Sequence, residues 1–301
     1  MRLASNKGLK YRYFFLSFAV SFLVLSLMFL FLMNMVHPKT PASLQRRMEL
    51  TATPLAESYA PSARDCITVL FIGTAGDDGA AGSYILARFD PVNGKVPVIA
   101  FPPQTLVEGP SGPEPLRDIY RYGGAGYARN ALSATLGITI DRYVRISMDS
   151  FKIVADSIGS VEFTLPNELT LGEKGMQITL KQGKQLLDGR KTAEIIRHDA
   201  YKGGELARCA IAAELTAAIV NQRMDIALST LADKIFEKTI NLIDTDISYP
   251  DYENRKLAAQ FLARLGKTPA AAVEVNGSFD SSGLRYTLSD TFIVRARQTF
   301  A

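Results

Sequence analysis

The sequence predicts an α/β fold in which a central mixed β-sheet is covered by helices on both faces, preceded by one transmembrane helix. Three observations carry this expectation. Short apolar or alternating runs at 67–72, 142–148 and 161–165 have the length and residue types of strands, and helical patterns separate them without an internal repeat. Glycines stop two of the helical patterns, Gly137 after one and Gly159 after the other. Residues 13–36 form a third kind of segment, 24 residues without a charge.

That apolar run would extend roughly 36 Å as a helix, enough to cross a bilayer core of about 30 Å. A buried core helix is the alternative, but Leu, Phe, Val and Met on every face suit lipid on all sides. The run is too long for a signal-peptide core, and no A-x-A-like site follows closely. Arg2, Lys7, Lys10 and Arg12 precede it with no acid among them, which places the N-terminus in the cytoplasm. The expected organisation is a basic cytoplasmic tail at 1–12, a membrane span at 13–36, an extracytoplasmic stalk at 37–65 and a folded domain at 66–301. Pro, Thr, Ser and Ala dominate the stalk.

The formal charge of +4 comes from the tail alone; the other 30 basic side chains balance the 30 acidic ones. There is no basic stripe for nucleic acid. Twelve residues on the cytoplasmic side cannot form a helix-turn-helix domain, which excludes transcriptional regulation for this topology. The two cysteines, Cys66 and Cys209, are not expected to pair. Cys66 opens a strand whose far end carries a glycine-rich loop, and Cys209 belongs near that loop. Seven strand residues would hold the thiols roughly 20 Å apart.

Within the domain, 67–72 reads as a buried strand feeding a loop with Gly73, Gly76, Gly79 and Gly82. Such a loop can cradle phosphate, but it has no lysine, so a P-loop is excluded. Strands at 83–90 and 95–101 are joined by Pro91-Val92-Asn93-Gly94, a hairpin signal. Pro97 predicts an edge position or a bulge for the second of them. Five prolines between 101 and 115 predict a loop without a helix. A helix is expected from 124 to 136. In 142–148, Val144, Ile146 and Met148 alternate with Tyr143, Arg145 and Ser147, and Asp149 is placed to cap the helix that follows. Further helices are expected at 224–243, 252–265 and from 290, with strands at 272–275 and 285–288.

The stretch 179–218 carries the polar candidates. Asp188 can cap a helix through Ala193, Ile195 and Ile196, and a second helix starts near Glu205. There Arg208 shares a stripe with Ile211, Leu215 and Ala218, in the first turn, where the helix dipole disfavours a cation. Arg197 lies one loop away. Two arginines near a positive helix end point to an anion site; the alternative is a pair of ordinary surface arginines. His198 is the only histidine beyond the stalk and reads as a loop residue, so neither a Ser-His-Asp triad nor a zinc cluster can be assembled.

Several words of the sequence occur together and in order: ITVLFIGT, SYILARFDPVNGKVPVIAFPPQT, YRYGG, LGITIDRYVRISMDSFKIVADSIGSVEFTLP, LKQGKQLLDGRKTAEIIR and ELAR, followed by INLIDTDISYPDYENRKLAAQFLARL. Over about residues 66–301 they resemble the LytR-CpsA-Psr (LCP) family, which implies an α-β-α sandwich outside the cytoplasmic membrane. Members of that family move a glycopolymer from a polyprenyl pyrophosphate carrier onto peptidoglycan. In them arginines grip the pyrophosphate, aspartates hold magnesium, one carboxylate can act as base, and an apolar tunnel between sheet and helices takes the lipid. Guanidinium forks match phosphate oxygens, and Mg²⁺ wants hard carboxylate oxygens.

The sequence departs from the family where that chemistry lies. The family's Arg-Ser/Thr-Asp-Thr falls on Ala80, Ala81, Gly82 and Ser83, and its Pro-Arg-Asp-Thr on Pro102, Pro103, Gln104 and Thr105. Its Lys-Ile-Asn reads Pro115, Leu116 and Arg117. Arg197 and Arg208 survive, while Asp199, Ile211 and Ala212 replace other polar residues. Each missing charge-assisted contact forgoes roughly 1.5–3 kcal/mol. The resemblance therefore implies a divergent member that binds a polyprenyl-phosphate-linked glycan or a cell-wall partner without efficient catalysis. The phosphate-binding candidates are Arg197, Arg208, Arg117 and Arg121, and no cofactor is expected. The alternative is an active transferase with relocated ligands, in which Asp77 and Asp78 hold Mg²⁺.

Overall fold

The computed structural model describes residues 59–76, 79–172 and 177–300. The expected tail, the apolar run at 13–36, the stalk through residue 58 and the Asp77-Asp78 pair lie outside them. Among the described residues no helix is long and apolar enough to cross a membrane. The chain enters through β1 (Ile67–Thr74), β2 (Ala81–Phe89) and β3 (Val96–Phe101), then a hairpin of β4 (Leu106–Gly109) and β5 (Gly112–Pro115), and α1 (Leu116–Leu136). Next come β6 (Arg142–Ser147), α2 (Met148–Ile158), β7 (Val161–Leu165), β8 (Leu169–Leu171), β9 (Ile178–Leu180) and β10 (Gly183–Leu187). α3 (Gly189–Arg197), α4 (Gly204–Arg223), α5 (Leu231–Ile240), β11 (Asp244–Thr245), α6 (Tyr249–Glu253) and α7 (Lys256–Arg264) follow. The last elements are β12 (Ala270–Ala272), β13 (Gly277–Phe279), β14 (Tyr286–Leu288) and α8 (Asp290–Phe300).

The central sheet has the order β11-β6-β1-β2-β3-β12. β1, β2 and β3 are antiparallel neighbours, β6 runs parallel to β1, and β12 runs parallel to β3. The sheet is therefore mixed, as predicted. Successive residues point to opposite faces, so one sequence feeds two cores. Leu70, Ile72, Tyr84, Leu86, Ile99 and Phe101 pack with residues of α1 and α8. Ile85, Val96, Val98 and Ala100 pack with Ala212, Ala213 and Ala217 of α4 and Leu262 of α7. β3 is buried along its whole length, the mark of a strand covered on both sides.

Several local expectations are corrected. α1 begins at Leu116 rather than 124: the N–H groups of Leu116 and Arg117 donate to the carbonyls of Thr105 (2.8 Å) and Pro103 (2.9 Å), which anchor its first turn behind β3. The glycines that suggested a start mark a kink, with Gly124 at φ 71° and ψ −167°. The cap of α2 is Ser147, whose hydroxyl accepts from the Ser150 N–H at 3.3 Å. Asp149 lies in the first turn, because the chain is already helical at Met148 and the extended backbone a cap needs belongs to Ser147.

Pro97 creates neither an edge nor a bulge. β3 has partners on both sides, and its register with β2 resumes at Asp90–Lys95 beyond the proline. The missing N–H falls where the β2–β3 ladder has a gap, while the Val96 N–H donates to the Pro269 carbonyl on the other side. The proline-rich segment expected as a loop contains no helix but folds as β4–β5, a two-stranded ribbon that tolerates Pro113 and Pro115. The helix expected over 224–243 is a 3-10 turn followed by α5, broken at Ser229, and that over 252–265 divides into α6 and α7. The strand expected at 272–275 is shifted to β12.

The tail of the sheet is tied to α6 by a two-pronged pair. Arg142 Nε and Nη2 donate to the two oxygens of Asp251 at 2.9 and 3.1 Å. The Ser248 N–H also donates to this carboxylate, at 2.9 Å. Burial alone would raise the carboxyl pKa, but Arg142 and Ser248 outweigh it and hold Asp251 down at about 2. A depressed folded pKa gives stability that is complete above the unfolded value near 4 and disappears as pH falls towards 2. We therefore expect Asp251→Asn to cost on the order of 1–2 kcal/mol at pH 7. In denaturant unfolding at stepped pH, the gap between wild type and variant should close between about pH 4 and 2.

Candidate functional site

Two of the cavities that border the sheet, and one charged corner, involve the candidate residues or the apolar face of α2. The first cavity, about 220 Å³, lies between the sheet face bearing Phe71, Ile85 and Ile146 and the helices α2, α3, α4 and α5. Phe151, Val154, Ala155 and Ile158 of α2 supply one wall, at the helical spacing that the sequence shows. The hydroxyls of Thr192 and Thr216, also in the lining, donate to the carbonyls of Asp188 and Ala212 at 2.8 Å, within or at the start of their own helices. Gly73 lets Met148 close over β1, since a Cβ there would meet the methionine Cε at 2.8 Å. The volume exceeds the roughly 150 Å³ of an apolar cavity that admits benzene. Such a space favours hydrocarbon by about 25 cal/mol per Å² of apolar surface withdrawn from water.

The charged corner joins α3 to α4. Asp188 caps α3 as predicted, its carboxylate accepting from the Lys191 N–H at 2.8 Å. α3 ends at Arg197, whose Nη2 donates to Glu194 Oε2 at 2.9 Å. Arg208 is only 6% exposed. Its Nε donates to both oxygens of Glu205 at 3.1 and 3.0 Å, its Nη2 also binds Glu205, and its Nη1 reaches the Ile196 carbonyl at 3.3 Å. Ile196 lines the apolar cavity, so this guanidinium stands one residue behind the cavity wall. Burial works against its charge, but the Glu205 hydrogen bonds prevail and raise its pKa above the ordinary arginine value. The neighbouring Cys209 thiol is pushed up to about 12 by burial, and it and Cys66 are both free thiols, as expected. His198 follows α3 and packs its ring edge-on against Tyr201 at 4.9 Å.

Both arginines are thus paired with a glutamate three residues earlier. The pairing was legible as EIIR and ELAR, since residues three apart share a helix face. Attention to the arginines' dipole position missed the glutamates.

The second cavity is a polar cleft of about 590 Å³ on the other sheet face, beside α1. Arg117, Asp118, Tyr120 and Arg121 line it together with Arg145 of β6 and Asp244 of β11. Arg145 Nε donates to Asp244 at 2.9 Å, Arg121 pairs with Asp118, and Arg117 reaches the Leu284 carbonyl at 3.4 Å. The four candidate arginines therefore divide: Arg117 and Arg121 share this cleft, while Arg197 and Arg208 belong to the α3–α4 corner. Arg145 and Asp244 were not singled out from the sequence, because only the pairing of β6 with β1 and β11 brings them to α1, the helix that already carries Tyr120.

The aspartates by which the resemblance implies magnesium binding are not matched among the described residues. Gly82 and Gln104 replace the family's aspartates, and no group of three or more His, Cys, Asp or Glu side chains gathers among the described residues. The buried Gln104 Oε1 lacks a protein partner but is a single neutral oxygen.

Comparison with known proteins supplies the wider frame. The polyisoprenyl-teichoic acid–peptidoglycan teichoic acid transferase TagU of Oceanobacillus iheyensis is 24% identical over 77% of this chain and 74% of its own length. TagV of Bacillus subtilis, named for the same activity, is 24% identical over 60% of this chain, which spans about half (49%) of that relative. Its crystal structure superposes with a TM-score of 0.65 at 23% identity, covering 79% of this chain and 97% of that one. TagT bound to LIIa-WTA superposes with a TM-score of 0.62 at 15% identity, covering 81% and 94%. These structural likenesses show a shared fold. The LytR_cpsA_psr family model matches residues 34–278. The chain belongs to the LytR_cpsA_psr family.

Proposed function

We propose that this protein is a single-pass, membrane-anchored family member whose domain lies outside the cytoplasmic membrane. It binds a polyprenyl-phosphate-linked glycan or cell-wall polymer without efficient catalysis. The relatives' names, which describe transfer of teichoic acid from a polyisoprenyl carrier, support the ligand class. The uncharged run at 13–36 behind four cations supports the anchor.

The observation that carries the reading is the contrast between cavity and corner. The space suited to a lipid chain is open, while Arg208, which survives from the family's phosphate-gripping set, is saturated by Glu205 and a backbone carbonyl. A carboxylate offers the guanidinium the same two-oxygen geometry as a phosphate, so an incoming phosphate gains little there. Arg197 has Glu194 in the same relation.

Two measurements test the proposal. Purified full chain incubated with a polyprenyl pyrophosphate glycan and Mg²⁺ is expected to release no carrier above the protein-free control. Carrier release would instead establish a transferase with relocated ligands among Asp77, Asp78, Arg117, Arg197 and Arg208. In a titration with polyprenyl phosphate, Ala155→Phe should weaken binding at least tenfold by filling the cavity. Unchanged affinity in this variant, with its melting temperature preserved, would show that the lipid does not use the cavity.

A further inference from the structure

We propose that the side of the domain formed by α5, α6 and α7 is a membrane-docking surface that rests on the bilayer at headgroup depth. The inference rests on the anchor proposed above and concerns a surface apart from the apolar cavity. A third cavity, of about 520 Å³, has Ile67 and Val69 of β1 and Phe89 of β2 as its floor. Alternate residues of a strand share a face, so Phe71 and Gly73 continue that row into the apolar cavity. Val144, which packs with Ile67 and Val69 and also lines the apolar cavity, stands between the two spaces. The walls of the third cavity come from the 3-10 turn at Met224–Leu228 and from α5, α6 and α7.

These walls carry apolar side chains on their outer surface. Leu228, Leu231, Tyr249 and Leu257 are 44–61% exposed. Single exposed leucines are ordinary, but a cluster of them around one opening marks a surface that a second apolar phase covers. The polar groups beside them suit an interface. Tyr252 stacks on Phe236 at 4.1 Å, and Tyr249 lies 6.2 and 6.3 Å from these two rings. Lys256 lies 5.7 Å from the centre of the Tyr252 ring. Tyrosine and lysine have apolar bodies and polar tips, a combination that settles between acyl chains and headgroups. The carboxylates of the lining are neutralised: Lys256 binds Asp233 at 3.0 Å, and Arg142 binds Asp251.

Chain connectivity selects a bilayer as the occupant. Tyr59, the first described residue, packs edge-on against Phe261 at 6.2 Å, on the same helix as Ala259 and Gln260 of the lining. From Tyr59, residues 37–58 lead back to the uncharged run at 13–36. The covalent tether to the anchor therefore joins the domain beside this surface, while the glycine-rich loop lies at the other end of β1.

The chain contains no tryptophan, so one introduced indole reports its own surroundings. The full chain carrying Leu228→Trp, Leu231→Trp or Leu284→Trp is reconstituted into vesicles of phosphatidylcholine and phosphatidylglycerol, with or without acyl-brominated phosphatidylcholine. Leu284 is the reference because its carbonyl accepts from Arg117 of the polar cleft, at the glycine-loop end of β1. Bromolipid should quench the indoles at 228 and 231 at least threefold more than the one at 284, with all three melting temperatures unchanged. Adding Leu228→Glu to the Leu231→Trp chain should lower its quenching to the reference level. Equal quenching at the three positions would overturn the inference. So would indoles at 228 and 231 that ignore bromolipid but are shielded by self-association, which would assign the surface to a second copy. Flotation after an alkaline carbonate wash separates the premises. A chain retained on the vesicles with unquenched indoles sinks the docking surface alone, and a chain stripped from them sinks the anchor as well.

Discussion

The fold around the apolar cavity depends on a charge that has been taken out of water. A guanidinium as buried as that of Arg208 is tolerated only when neutralised, and Glu205, one turn earlier on α4, does this. The same side chain reaches the last turn of α3 through the Ile196 carbonyl, so the pair also fixes how two helices meet over the sheet. Removing one member of such a pair leaves the other buried and uncompensated, typically at about 3–5 kcal/mol. The corner therefore serves stability, and its charge is no longer at the disposal of a ligand.

From that constraint the division of the molecule follows. One face of β1, β2 and β6 meets α2 to α5 imperfectly, leaving an apolar space whose hydroxyls are turned to their own helices. The opposite face packs tightly against α1 and α8, except where α1 kinks beside the glycine-rich loop and leaves a polar cleft. The sheet thereby keeps an apolar and a charged environment on opposite faces. An active relative must bring phosphate, metal and base to one point. This chain has Ala80, Gly82, Pro103 and Gln104 at the family's arginine and aspartate positions.

The fold was largely legible in the sequence because its signals were local. Alternation in 142–148 gave β6, Asp188 and Glu205 gave the starts of α3 and α4, and Gly137 gave the end of α1. The misplacements occurred where tertiary contacts override local preference. The first turn of α1 is helical although it leads into paired glycines, because its N–H groups find the carbonyls after β3. Pro97 sits inside the sheet because the ladder opposite it has a gap. Of the site, the spacing of Phe151, Val154, Ala155 and Ile158 showed the apolar helix face that forms one wall, while the cavity itself was implied only by the family resemblance. The cleft could not be anticipated, because Arg145 and Asp244 are distant in sequence from Arg117 and meet it only through strand pairing.

An apolar cavity of about 220 Å³ remains beside Arg208, whose charge is neutralised by Glu205. A crystal structure of the protein soaked with polyprenyl phosphate tests most directly whether lipid enters that cavity. The account predicts continuous density between the sheet and α2–α5, with Arg208 still bound to Glu205 and the phosphate lying outside that pair. An empty cavity, or a phosphate that displaces Glu205 from Arg208 beside a carboxylate-bound metal, would contradict it.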